Sequence, residues 1–371
     1  MKKIILLFIS IFLLTGCGKI DKDKLIETFK DKVESSKSYT IDSKMEIYNS
    51  EDTFTYNIKV YYMDDDYFKV DMVNTLSNHE QIILRNNREV YVVTPSLNKS
   101  YKFVSEWPYN SSQSYILNTL VKDIEDASSV DFAEEEDGYS LKVPVNYPNN
   151  SNLSYEKMLF DKDMNLKNVT VYDKEDIIAI KVDFNKIDYK ANLKEEDFDV
   201  DKLIDENCCN TDTNKDSKKD NESESNKNTN DKNANDQANQ NNTQAPSSNK
   251  KTTETGTLQD IIYPLYVPSN TYLKDKETVS TESGERVILT FNGDKNFVLI
   301  EEVSKVNDEF EIIPVYGDPL MLSNTIGALS TNSLSWSSDN VDYYLASNDL
   351  STSEILTIAS SLNGTNLVVE K

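Results

Sequence analysis

The chain has 371 residues, with 64 Asp and Glu against 39 Lys and Arg and a formal net charge of −25. A surface this acidic repels nucleic acid and anionic lipid faces, and no nucleic-acid partner is expected. One His, three Cys and nine Gly leave little material for metal centres, disulfide frameworks or phosphate-binding loops.

Met1-Lys2-Lys3 supplies a positive start, and residues 4–14 are apolar apart from Ser10. That run is too short to span a bilayer, which takes ~20 apolar residues. It predicts a secretory signal over residues 1–16. Leu14-Thr15-Gly16-Cys17 resembles the bacterial lipobox, in which the Cys is acylated and becomes the mature N-terminus. Diacylglycerol brings two chains, enough for stable anchoring. The alternative is an ordinary signal with an incidental Cys. The expected location is the outer face of the cell membrane, with Cys17 as the lipidated residue.

Past the signal, Leu25, Ile26, Phe29 and Val33 recur at helical spacing. Strands follow. Tyr39, Ile41, Met45 and Ile47 alternate with polar residues, as do Phe54 to Tyr62 and Phe68 to Met72. Each run has one dry and one wet face, the pattern of antiparallel strands covered on one side. Turns are expected at 49–52, at 63–66 and at Asn86-Asn87, with further strands at 79–84, 90–93 and 101–104. The acidic runs 64–66 and 134–137 read as solvated turns, because no calcium-loop spacing accompanies them. Trp107-Pro108-Tyr109 then turns the chain. These aromatics either plug the end of the sheet or offer an anchor to a partner.

A helix is predicted over 112–126, with Ser111 or Ser112 as N-cap. Ile116, Leu117, Leu120, Val121 and Ile124 form its apolar stripe. They either fill a core or line a ligand cavity; both readings stand. Strands resume at 139–143, at 155–160 and 166–172 around a turn, and at 177–184, which closes the sheet. Tyr189 onward reads as a polar exit.

Residues 206–257 are rich in Asn, Lys, Asp and Ser and nearly free of large apolar side chains. They predict a disordered linker, because nothing there offsets the cost of ordering the backbone. The adjacent Cys208 and Cys209 make no framework and lack partners for a metal. The linker divides a first block, 17–205, from a second, 258–371. In the second block, strands are expected at 286–291, 296–301, 312–315 and 342–345, with a hairpin turn at 292–295. Ser351 and Glu354 fit a capping box before Ile355, Ile358, Ala359 and Leu362, and Gly364 suits the helix stop. The predicted fold class is α+β: a curved antiparallel half-barrel sheet with helices in its concave face, joined by the linker to a small, mainly-β α+β domain.

This order of elements behind a lipobox is similar to the lipoprotein-carrier (LolA/LolB/RseB-like) superfamily. The stretch LNKSYKFVSEWPYNSSQSYILNTL (97–120) resembles a particular branch, the lipoproteins of spore-forming Gram-positive bacteria of the GerS and YdcC type. Leu334-Ser335-Trp336 and 341–362 resemble the C-terminal domain that accompanies it. The resemblance implies a membrane-anchored, non-enzymatic binding protein supporting sporulation or germination. For the GerS branch it implies a partner, a cell-wall amidase that makes the muramic-δ-lactam of spore cortex. The linker and second block set the chain apart from GerS and point to YdcC-like or RseB-like duties. The residues themselves show no nucleophile elbow, dinucleotide fingerprint or zinc spacing, so no catalytic residue, metal or cofactor is expected. Three partner classes are expected: an envelope protein, a lipid or acylated peptide in the half-barrel, and a second copy forming a homodimer.

Overall fold

The computed structural model describes residues 19–203 and 257–362, except 50–51, 88, 110–112, 146, 148–151, 259, 282–283 and 307–309. Cys17, Ser111, Ser112, Cys208, Cys209, Gly364 and nearly all of 206–257 lie outside the described residues.

The fold is mostly β with few helices, built on two open sheets. Helix α1 (Lys22–Glu34) begins where the Asp21 carboxylate accepts from the Lys24 amide at 2.9 Å. It buries Leu25, Phe29 and Val33. Six strands then meander: β1 (Ser38–Tyr48), β2 (Thr53–Met63), β3 (Tyr67–Asn74), β4 (Glu80–Asn86), β5 (Glu89–Thr94) and β6 (Lys99–Phe103). Asp65, Asp66 and Asn87 adopt positive φ in the predicted turns, which short polar side chains tolerate. After helix α2 (Leu117–Asp126) come β7 (Asp131–Glu135), β8 (Gly138–Pro144), β9 (Leu153–Asp161), β10 (Leu166–Asp173) and β11 (Ile178–Asp188).

β11 does not close an edge. It pairs with β1 on one side and β10 on the other, joining the two meanders at their middle. One row of side chains crosses the sheet: Ile41, Val60, Val70, Ile83 and Val92 stand opposite one another on β1 to β5. Both helices pack against this face, and Leu25, Phe29, Leu117 and Leu120 share its core.

Three further expectations are corrected. Helix α2 starts at Leu117, not at a Ser cap. Ile116 is its N-cap without a side-chain cap bond, and the Thr119 hydroxyl donates to the carbonyls of Gln113 and Ile116 at 2.6 and 2.8 Å. The region after Tyr189 is not a purely polar exit. A 3₁₀ turn at Glu195–Phe198 brings Phe198, Val200 and Leu203 over Ile82, Leu84, Tyr91 and Val93, so β4 and β5 are covered on both faces. The third concerns 312–315, expected as a strand of the second block's domain: the strand forms, but it joins the first block's sheet.

The second block supplies β12 (Thr271–Ser280), β13 (Glu285–Gly293), β14 (Phe297–Val303), β15 (Glu311–Val315), β16 (Asp318–Met321), β17 (Ile326–Leu329), β18 (Ser333–Ser338) and β19 (Val341–Ala346), then helix α3 (Thr352–Ser360). The predicted capping box is present: the Ser351 hydroxyl accepts from the Glu354 amide, and the Glu354 carboxylate accepts from the Ser351 amide at 2.8 Å. Seven of these strands form an antiparallel sheet with α3 on one face. β15 leaves that sheet and pairs in parallel with β6, so the first sheet has twelve strands among the described residues.

Candidate functional site

The two blocks meet mainly along the segment 311–329, with further contacts from β18 and β19. Its first contact is the β15–β6 pairing, where the Glu311 amide donates to the Asn98 carbonyl at 2.9 Å. Ser105 donates to Asp318 at 2.7 Å, and the Tyr56 hydroxyl to the Ser323 carbonyl at 2.9 Å. The buried Gln81 side-chain carbonyl accepts twice, from the Ile326 amide at 2.8 Å and the Thr325 hydroxyl at 3.1 Å. Lys99, 7% exposed, pairs with Asp342 at 3.0 Å. Ile326 and Ala328 complete the apolar core of the first block.

A cavity of about 290 Å³ lies at this junction. β1 contributes Met45 and Ile47. Tyr147, Leu153 and Ile180 come from the β8–β11 half. Leu320 to Ser323 and Leu356 come from the second block. The polar part of its wall holds Ser114 and Tyr147, whose hydroxyls lie 3.0 Å apart. Burial pushes the Tyr147 phenol well up, helped by the nearby Glu156 carboxyl. Glu156 is itself fully buried with neither carboxyl oxygen hydrogen-bonded, and burial drives its pKa well above the usual range. A second cavity, about 330 Å³, lies between Val92, Tyr101 and Phe103 and the outer face of β14, β18 and β19.

Ile116, Leu117, Leu120, Val121 and Ile124 are all buried in the main core, none more than 7% exposed. The walls of both cavities are made by other residues. Trp107 is 1% exposed and packs edge-on against Phe68 at 6.2 Å. Its carbonyl accepts from the buried Arg85 guanidinium at 2.7 Å. Tyr109 is half-buried and donates to Asp66 at 3.0 Å. Among the described residues no group of three or more His, Cys, Asp or Glu could hold a metal ion, and no helix is long and apolar enough to cross a membrane. The cavity walls were not legible in the sequence, because they come from segments far apart in the chain, each carrying ordinary strand alternation.

Comparison with known proteins gives the following. Residues 1–198 match the family model described as sporulation protein YdcC-like. The chain is 31% identical to the sporulation protein YdcC of Bacillus subtilis (strain 168) over 358 residues, covering 96% of this chain and 94% of that one. Similar solved structures include a LolA superfamily protein from Nitrosomonas europaea, at 10% identity and TM-score 0.31, covering 50% of this chain and 100% of that one. Another is the CwlD amidase of Clostridioides difficile in complex with the GerS lipoprotein, at 12% identity and TM-score 0.29, covering 47% of this chain and 100% of that one. These spatial likenesses are faint, whereas the sequence match runs nearly end to end.

Proposed function

The chain belongs to the YdcC-like sporulation protein family, and we propose that it is a lipid-anchored, non-enzymatic binding protein of the cell envelope that docks a partner protein during sporulation. The observation that supports the reading is the free edge of the first sheet: among the described residues that sheet ends on β7, an almost wholly exposed strand with no strand beyond it, and such an edge can take a partner's strand. The partner implied by the GerS-type resemblance is a cell-wall amidase. Cys17 is the anchor, and the hollow side of the curved sheet holds the two helices.

Two experiments test this. Cys17→Ser should move the protein from the membrane fraction to the soluble one; unchanged membrane association rules out the anchor. Affinity capture from membranes of sporulating cells should enrich an envelope amidase over a control lipoprotein, and no enrichment refutes the docking role.

The junction cavity supports a second reading, that of a carrier or sensor for an apolar ligand. Its walls are largely apolar, and it is of a size that holds a single chain.

A further inference from the structure

Residues 131–137, which are β7 and the turn after it, hold five acidic side chains and no basic one. Two of the five are paired. Glu135 takes Lys157 at 2.8 Å, and Glu134 takes Lys19 at 3.7 Å, a lysine that is itself 84% exposed. Asp131 stands opposite Lys142 on β8, but the Lys142 ammonium lies over the Tyr155 ring at 3.7 Å instead. Among the described residues Asp131, Glu136 and Asp137 have no ion-pair partner.

The backbone of β7 is open on the same side. Glu135 and Gly138 flank a two-residue turn, so they face each other as a hydrogen-bonded pair. Counting back in twos, Ala133 and Asp131 also bond to β8, while Phe132 and Glu134 turn their N–H and C=O groups away from it. A strand added there has its side chains beside Asp131, Ala133 and Glu135 on one face of the sheet. On the other face they stand beside half-buried Phe132 and exposed Glu134. A second copy of β7, laid antiparallel on the first, sets Asp131 against Glu135 twice over, and like charges directly opposite destabilise a pair. The charge that repels another copy attracts a strand of the opposite sign.

On the reading that the chain docks its partner by strand addition, we propose that the occupant of the β7 edge is an extended basic segment of that partner, added antiparallel, and not a second copy of this chain. Counted from the residue beside Glu135, the segment carries Lys or Arg at its first, second and fifth positions and an apolar residue at its fourth. These meet Glu135, Glu134, Asp131 and Phe132 in turn.

Fluorescence anisotropy with the full chain at low ionic strength tests this, with the labelled peptide SKKSVKS as probe. It should bind at least roughly tenfold more tightly than the same peptide with alternate amides methylated, which keeps the charge and loses the strand pairing. Asp131→Lys with Glu134→Lys should weaken binding by at least roughly tenfold, and Asp216→Lys with Asp220→Lys, the same change of charge in the 206–257 tract, by less than about twofold. Equal binding of the methylated peptide, equal loss in the two double variants, or no binding at all overturns the edge assignment. A dimer in ultracentrifugation that Glu134→Pro abolishes, by removing an outward donor, makes the occupant a second copy instead and overturns it too. If the edge assignment fails while an amidase is still captured from sporulating membranes, docking takes place elsewhere on the surface. If the peptide binds as expected and no amidase is captured, the edge assignment stands and the amidase reading falls.

Discussion

Glu301 lies on β14 beneath the segment 258–267, fully buried, with one oxygen accepting from the Ile262 amide at 3.1 Å and the other unpartnered. Burial raises its pKa from 4.5 to about 7, against the opposing pull of the Ile262 amide and Lys276. Below pH 4.5 the group is protonated whether the chain is folded or not. Between 4.5 and 7 the unfolded chain gives up the proton and the folded one keeps it, so stability falls as pH rises, by up to ~1.4 kcal/mol per pH unit. Asp71, raised by burial to about 6, acts in the same direction. Glu301→Gln keeps an acceptor for Ile262 and removes one proton from this balance. The variant's urea midpoint should gain on the native one as pH rises from 5 to 8; parallel profiles would contradict the assignment. Gly138 is a backbone counterpart. Its φ is +155°, and an added Cβ would sit 1.9 Å from the Phe160 carbonyl oxygen, so any side chain there forces β8 away from β9.

Helix α2 buries five side chains in the first block. Leu117 and Leu120 are fully buried against the strand row and α1. Lys30 of α1 also reaches Glu125 of α2. Leu120→Ala should cost about 2–5 kcal/mol in urea unfolding; a loss under 1 kcal/mol would mean the site collapses around the gap. The stripe was legible because 3.6-residue spacing survives in any environment, and the β1–β3 alternation was legible because one face is dry. The start of α2 was not, because Thr119 closes the turn from inside the helix while the serines upstream looked like better caps. The cover formed by Phe198, Val200 and Leu203 was hidden by the acidic residues between them. β12 was also missed: its side chains are nearly all exposed, so it carries little apolar signal.

For the molecule as a whole, the two blocks are joined mainly through 311–329, and Gln81 alone makes two of the hydrogen bonds across that junction. Gln81→Ala removes both of its bonds to the second block, a loss of about 1–3 kcal/mol. Amide exchange over 311–329 should then quicken by roughly ten- to hundredfold, read by mass spectrometry; unchanged protection would show that docking does not depend on Gln81. The outer side of β15 is guarded. Because the Glu311 amide faces β6, the amides of 313 and 315 do too, and position 314 faces away. That position is Pro314, which has no donor to offer a further strand. The parallel join also has a consequence in time. Lys99 and Asp342, partners across the junction, are 243 residues apart in the chain. Synthesis delivers the eleven strands of the first block long before residues 311–315 exist. Throughout that interval β6 is the open end of a sheet one strand short, with Lys99 and Lys102 to discourage a stranger. Every newly made copy therefore passes through an age at which it is most open to pairing with another chain, and it leaves that age only when its own last third arrives.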